Sequence, residues 1–479
     1  MGIVGSSFLS TSTLSTIPSH GSSGWYVPPW ARLRFFYDSK RIIFEGYQKY
    51  KSTVYKVQRW SGWVVLVTGE TLVEELHRLP DEVLSLEESA RIEMQILHTM
   101  GDGVCFNPYH LSLLRSKLPR HLDHLTEELL DEVVPAFEDV IGRLCTEEWM
   151  EFNVHNNLTK IVARVFNRIL VGLPTCEDPH DYNDVSCRFS VSVYVTSLII
   201  NLFPVSVQHL IGRVISRLRS FQNRALKCLE PIIEERKQMM RDFGEASWSD
   251  KPNDVLSWLM DEATAEEFET KALATRILAI NSATSHTSSY TFMQALLNFA
   301  SRATYQEPLV REAEEALRNY GWTRDCINSL RLLDSFFKES MRVNGLGSMS
   351  FPRKALKDFT LSDGTFIQRG TLVSASFGVH FDEAYYEDSQ TFEGFRFATG
   401  ASVRVNNVMT TTSAKYLPFG HGRHAWYDWM FPGRFLVSYA LKAIMVHIIT
   451  NYDIKLGGDG QRKPDFWFGY HCTPNANAT

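Results

Sequence analysis

The sequence lacks the marks of several protein classes, and each absence narrows the reading. No stretch reaches the roughly 18 consecutive apolar residues of a membrane-spanning helix, so no transmembrane anchor is expected in this chain. Basic residues are in the minority, with Lys+Arg 49 against Asp+Glu 55 for a net charge of -6. Without a basic stripe to neutralise phosphates, nucleic acid is excluded as a partner. Cysteine is scarce: seven are scattered along the chain, with no Cys-x-x-Cys pair. An odd, dispersed set supports neither a zinc site nor a disulfide framework and points to a reducing compartment. The sequons at Asn157 and Asn477 are then unused matches. Gly-x-Ser-x-Gly and phosphate-loop motifs are missing, which removes hydrolase and nucleotide chemistry.

Linkers are missing too. No Gly/Ser-rich or Pro-rich stretch interrupts the middle of the 479 residues, so one large domain is expected over residues 24–479. The first 23 residues are Ser/Thr-rich and nearly uncharged, a composition that predicts disorder.

Helical spacing is what the chain has in quantity. Thr53–Gln58 and Trp63–Thr68 read as a β-hairpin turning at Trp60-Ser-Gly. Beyond them, Leu125, Leu129, Val133, Phe137 and Val140 form one apolar stripe, and Ile211 to Ile233 form a second, read as one long helix ending near Arg236–Asp242. Ala265–Arg302 contains neither Gly nor Pro and predicts a helical spine far longer than the usual 11 to 12 residues. Its centre, Asn281-Ser-Ala-Thr-Ser-His-Thr-Ser-Ser, puts eight polar residues in nine positions. Ser and Thr compete for backbone carbonyls inside helices. The segment is therefore either a distorted spine with a water or ligand site, or a linker between two shorter helices. Another helix is expected over Asp325–Arg342, then β-type runs at Phe366-Ile and Thr371–Ser376, an irregular stretch from His380 to about Phe419, and a helix over Arg434–Thr450. The fold class is mainly α with a minor β part drawn from both ends of the chain.

Four ordered motifs carry the chemistry. Glu339-Ser-Met-Arg342 sets a carboxylate and a guanidinium three apart on one helical face. Phe392-Glu-Gly-Phe-Arg-Phe brackets Arg396 with aromatics, and Phe419-Gly-His-Gly-Arg-His-Ala and Phe431-Pro-Gly-Arg-Phe follow. In this order and spacing, from about Ile17 onward, the chain resembles the haem-thiolate monooxygenases of the cytochrome P-450 superfamily, in particular fungal secondary-metabolism branches. The resemblance implies a single large fold with a long central helix over the haem, and haem b as the iron-bearing cofactor. It implies electrons ultimately from NADPH through a flavoprotein reductase, and a hydrophobic small-molecule substrate of terpenoid or steroid type. It implies residence at the cytoplasmic face of the endoplasmic reticulum with peripheral membrane contact. Ile17-Pro-Ser-His-Gly-Ser-Ser-Gly-Trp looks like the remnant of the Pro-rich hinge that follows the anchor in fungal members.

Residue by residue, Glu339, Arg342 and Arg396 match the family's ion network beneath the haem loop. Ala283-Thr-Ser-His286-Thr287 aligns with the motif over the haem. Thr287 there is the hydroxyl expected to hold water and pass protons, and His286 stands in for the acid, either as a relay or as a satisfied core histidine. Arg353 matches the strand arginine that pairs with a haem propionate, and His424 falls where a second propionate partner is usual. Phe419 opens the haem loop. Arg115 sits at the arginine of the family's Trp-x-x-x-Arg motif, with Leu111 in place of the Trp.

One departure matters. The family's axial ligand is a cysteine before Pro-Gly, and none is present: Trp426-Tyr-Asp-Trp-Met-Phe431 fills the space between Ala425 and Pro432. Counting forward puts Trp426 at the ligand position, and counting back puts Phe431 there; neither is a thiolate, the group that pushes electron density through iron. His421, His424, Tyr427, Asp428 and Met430 are the nearby side chains able to bind a metal. The expectations are therefore a haem monooxygenase or, as alternatives, a catalytically impaired binding protein of the same fold or a coding sequence damaged at this loop. A non-haem metal site on His421-x-x-His424 is disfavoured, because a Gly-rich loop does not hold both rings on one face.

Overall fold

A computed structural model describes residues 13–21, 29–142, 149–172, 179–215, 218–243, 248–398, 408–422 and 433–478. The segment 423–432, with His424, Trp426 and Phe431, lies outside the described residues.

A six-stranded sheet is assembled from distant parts of the chain. Its strands are Ser19–His20 (β1), Val54–Arg59 (β2), Gly62–Val67 (β3), Leu84–Ser85 (β4), Arg353–Ala355 (β5) and Leu372–Ala375 (β6), in the order β1-β2-β3-β6-β5-β4. The hairpin β2–β3 is antiparallel, with Val54 opposite Val67 and Arg59 opposite Gly62. Its alternation serves two cores. Tyr55, Val57, Val64 and Leu66 join one buried cluster, while Val54, Val65 and Val67 join another. Helix α1 (Pro29–Lys49) presses so closely on β2 that a Cβ on Gly46 would stand 2.4 Å from the Tyr55 ring.

The disorder expected for the first 23 residues does not extend over 13–21. Leu14 and Ile17 are buried in the sheet core, and Ser19 and His20 pair in parallel with Lys56 and Val57. Two apolar anchors and a strand partner outweigh the Ser/Thr-rich composition there.

Short helices α2 (Glu70–Arg78) and α3 (Leu86–Glu93) lead into the helical body. Among its helices are α4 (Tyr109–Ile141), α5 (Val154–Val171), α6 (Pro179–Asn201), α7 (Val205–Ile215), α8 (Leu218–Phe243), α9 (Thr270–Ala300), α10 (Arg331–Val343) and α11 (Arg434–Asn451). The long spine is α9, buried along nearly its whole length. It starts at Thr270 rather than Ala265, because Glu269 is extended and Glu267 turns back to pair with Arg276 at 2.6 Å. The polar centre is neither a linker nor an interruption. Thr284, Thr287 and Ser289 donate to the carbonyls of Ile280, Ala283 and Ser285 at 2.9, 3.0 and 2.7 Å, and Ser285 donates to the Asn281 side chain. Back-bonding of this kind satisfies hydroxyls without breaking the helix.

One boundary differs from the periodicity. The second stripe falls on α7 and α8, and residues 216 and 217 lie outside the described set. The helix expected over Asp325–Arg342 is two, Arg324–Ser329 and α10. The Glu312 carboxylate accepts the N–H groups of Leu332 and Leu333 at 2.7 and 2.9 Å, which caps the first turn of α10 and fixes a separate start. A C-terminal hairpin, Phe466–Phe468 (β7) with His471–Thr473 (β8), returns to the body.

Candidate active site

A cavity of about 550 Å³ lies between the centre of α9, the inner face of α6, strand β5 and the loop at Leu417–Gly420. That volume is in the range of small-molecule sites, and its walls are mainly apolar.

Ala283, His286, Thr287 and Thr291 bring α9 to the cavity. The Thr287 hydroxyl gives its one proton to the Ala283 carbonyl, so toward the cavity it offers lone pairs only. The His286 ring lies 4.2 Å from Tyr290 and 5.2 Å from Tyr194, centroid to centroid. Burial, with His155 and His471 adding to it, lowers its pKa to about 4, so the imidazole is neutral at pH 7.

On the opposite side, Arg353 on β5 donates to His77 Nδ1 at 2.9 Å, and both line the cavity. A guanidinium has no acceptor, so Nδ1 accepts and the His77 proton sits on Nε2. No motif singled out His77; it is one residue of an ordinary amphipathic helix, and only the fold brings it to Arg353. Phe419 and Gly420 form the adjoining wall. Gly422 has φ +75°, and a Cβ there would stand 2.8 Å from that of His77, so this position requires glycine. His421 turns to Glu74, at 2.6 Å from its carboxylate. Arg115 is not brought to the cavity: it is exposed on α4, next to the buried Leu113 and Leu114. Among the described residues no cluster of His, Cys, Asp and Glu is arranged to hold a metal ion.

Behind the cavity wall, Glu339 and Arg342 are both fully buried on α10. Arg342 makes a bidentate pair with Glu339 at 2.8 and 2.7 Å. Arg396 Nε reaches Glu339 Oε1 at 3.2 Å, and the Glu393 N–H reaches it at 2.9 Å. Arg342 also donates to the carbonyls of His380 and Ser389. His380, which the sequence reading used only as a loop boundary, accepts the Leu417 N–H on Nε2 at 2.9 Å and so links this network to the cavity loop.

A long buried helix over an apolar cavity, with an arginine and a histidine at its edge and a glycine loop beside them, makes a site of small-molecule size. The family model described as Cytochrome P450 matches residues 24–477. A cytochrome P450 monooxygenase of Postia placenta is 36% identical over 97% of this chain and 93% of its own length. Another, of Ganoderma lucidum, is 32% identical over 95% and 89%, and the ent-kaurene oxidase of Gibberella intermedia is 25% identical over 95% and 85%. The chain belongs to the cytochrome P450 family, haem-dependent oxidoreductases of the monooxygenase type. The cavity fits the macrocycle, since apolar walls suit its faces and the donors of Arg353 and His77 suit its carboxylates. The axial position does not fit the family's thiolate, because no cysteine occurs between Phe419 and Phe435.

Arg342→Leu should strand a buried carboxylate at a cost of about 3–5 kcal/mol and abolish soluble expression; normal yield and melting would remove the network from the foundations of the fold. A pH effect follows from His380, whose pKa burial and Arg342 lower to about 3. The unfolded chain takes up this proton first, near pH 6.5, so the contribution is complete above that pH and is lost as pH falls toward 3. Between pH 6.5 and 4.5 the wild type should lose on the order of 2 kcal/mol more than His380→Gln, read from unfolding midpoints. Parallel pH profiles would show that His380 does not carry the effect.

Proposed function

We propose that the cavity takes haem against Arg353 and His77 and, on the α9 side, an apolar small molecule of terpenoid or steroid type into which one oxygen atom is inserted. The observation that carries this reading is the largely apolar cavity with Thr287 and His286 at its α9 wall. The haem, when bound, supplies the oxygen activation; the protein's part is to bind, orient and deliver protons. Thr287 holds a water through its free lone pairs. His286, neutral beside it, offers one donor and one acceptor and stands where the family's acid would. Phe419 packs beside the haem, and Glu339, Arg342 and Arg396 brace the loop that carries it. His424 would be a second propionate partner, and the domain would run over 24–479. One relative is named for oxidising ent-kaurene, in keeping with an apolar substrate.

The reductase and the membrane belong to the same proposal. No described helix is long and apolar enough to cross a bilayer, but Val205, Val207, Leu210 and Val214 are exposed along α7. Such a patch suits peripheral contact with a lipid surface, at the cytoplasmic face of the endoplasmic reticulum, where an NADPH-dependent flavoprotein reductase delivers electrons.

A second reading is favoured by the sequence of the haem loop. With Trp426 to Phe431 in place of the cysteine, the chain as written would fold, hold haem weakly and oxygenate little, because the push on the O–O bond comes from the thiolate. Deleting Trp426 to Met430 and changing Phe431→Cys restores Ala-Cys-Pro-Gly. The repaired chain should load haem and give the red-shifted CO difference band of thiolate ligation, while the original chain should not. The same band from the original chain would refute the loop alignment. In the repaired chain, Thr287→Ala should divert reducing equivalents to peroxide when terpenoid or steroid substrates are supplied; unchanged coupling would place the proton path elsewhere.

A further inference from the structure

The apolar wall of the cavity also holds a second polar group besides Arg353 and His77. Arg59, at the end of β2, pairs with Glu93, at the end of α3, through two bonds of 2.7 and 2.8 Å. Both residues line the cavity, among Phe35, Phe36, Trp60, Met94 and Leu202. Arg59 is only 5% exposed, and its Nε is buried with no hydrogen-bond partner among the described residues. A buried donor left unmet is costly, and this one belongs to a side chain already committed by its other two nitrogens. His471 on β8 lies in the field of both Arg59 and Glu93, and burial lowers its pKa to about 4, so it is neutral at pH 7. A row of rings leads back to α9: Tyr194 lies 5.7 Å from His471 and 5.2 Å from His286, centroid to centroid.

We infer that Arg59, Glu93 and His471 form a subsite for one neutral oxygen function, a hydroxyl or carbonyl, on an otherwise apolar substrate. The inference rests on the reading of this cavity as the substrate pocket. Charge decides between a neutral and an anionic ligand. Arg59 and Glu93 cancel and His471 is uncharged, so a carboxylate would find no net positive charge and would face Glu93. A hydroxyl instead accepts from the N–H of the neutral His471 imidazole and donates to the Glu93 carboxylate, which Arg59 holds in place. The row of rings separates this anchor from Thr287, so the oxygen is held at one end while the skeleton reaches α9 with the other. Remote binding of this kind orients a substrate. A substrate of this class comes from a reaction that has already placed an oxygen on the skeleton.

Equilibrium dialysis of the full chain with radiolabelled androstane, androstanol and androstane carboxylic acid tests the subsite without turnover. The alcohol should bind about ten-fold more tightly than the hydrocarbon, the size of one hydrogen bond to a buried donor, and the acid no more tightly than the hydrocarbon. The double variant Arg59→Met/Glu93→Met removes both charges so that neither is stranded. It should bring the alcohol to the affinity of the hydrocarbon and leave hydrocarbon binding unchanged. His471→Phe leaves the ion pair intact and should reduce the preference several-fold, which keeps the test open if the double variant does not fold. Equal binding of alcohol and hydrocarbon by the wild type, a preference that survives both variants, or tightest binding of the acid would overturn the subsite while the pocket reading stands. Binding of none of the three would overturn both.

Discussion

The Glu339 carboxylate is the point on which the rest of the structure hangs. It is fully buried, and its two oxygens take four donors: two from Arg342, one from Arg396 and the N–H of Glu393. A charge in that position is tolerable only while every donor is present. Because Arg342 also holds the carbonyls of His380 and Ser389, and His380 holds Leu417, one carboxylate ties α10 to the irregular stretch and to the cavity loop. Segments with little regular structure thus gain a fixed position from a charge network instead of from a backbone ladder.

The centre of α9 solves a related problem without charge. Its hydroxyls are answered by carbonyls one turn back, and Asn281 meets Asn167 across on α5. The helix can therefore carry polar groups through the core while Ala283 and Thr287 face a cavity. Burial also keeps His286 and His471 neutral, with pKa values near 4. Apart from Arg353, the polar groups of the pocket act as hydrogen-bond partners at pH 7, and the Arg59–Glu93 pair is internally balanced.

Much of this was legible in the sequence, and the exceptions have physical causes. The mainly helical class and the β2–β3 hairpin follow from periodicity, which is local, and the residues of the Glu339 group from the resemblance of their motifs to the family's. The start of α9 at Thr270 was hidden because Glu267 pairs with Arg276, a tertiary bond that ends the helix where propensity would continue it. The order of residues 13–21 was hidden because Leu14 and Ile17 gain their burial from the sheet. His77 carries no motif, since its value lies in meeting Arg353, which is 276 positions away. Arg59 and Glu93 are likewise ordinary at the ends of a strand and a helix, and only their convergence on the cavity distinguishes them. Arg115 shows the converse: a position matched by motif need not face the site, because its neighbours Leu113 and Leu114 take the buried side of α4.

The energetics of fold and chemistry are separable in this chain. What holds the loop on the described side is the bond from Leu417 to His380 and the packing of Phe419; beyond the loop, α11 begins after Gly433 and buries most of its length. Lengthening a connection from about 7 to about 12 residues costs only ~0.5 kcal/mol of closure entropy, small beside the 3–5 kcal/mol that one lost member of the Glu339 group would cost. A chain can therefore keep the family's fold and its cavity without the thiolate. The same arithmetic explains why a match over residues 24–477 says little about one side chain: the match is carried by the hundreds of residues that build the scaffold, whereas the chemistry turns on whether a single sulfur stands before Pro432.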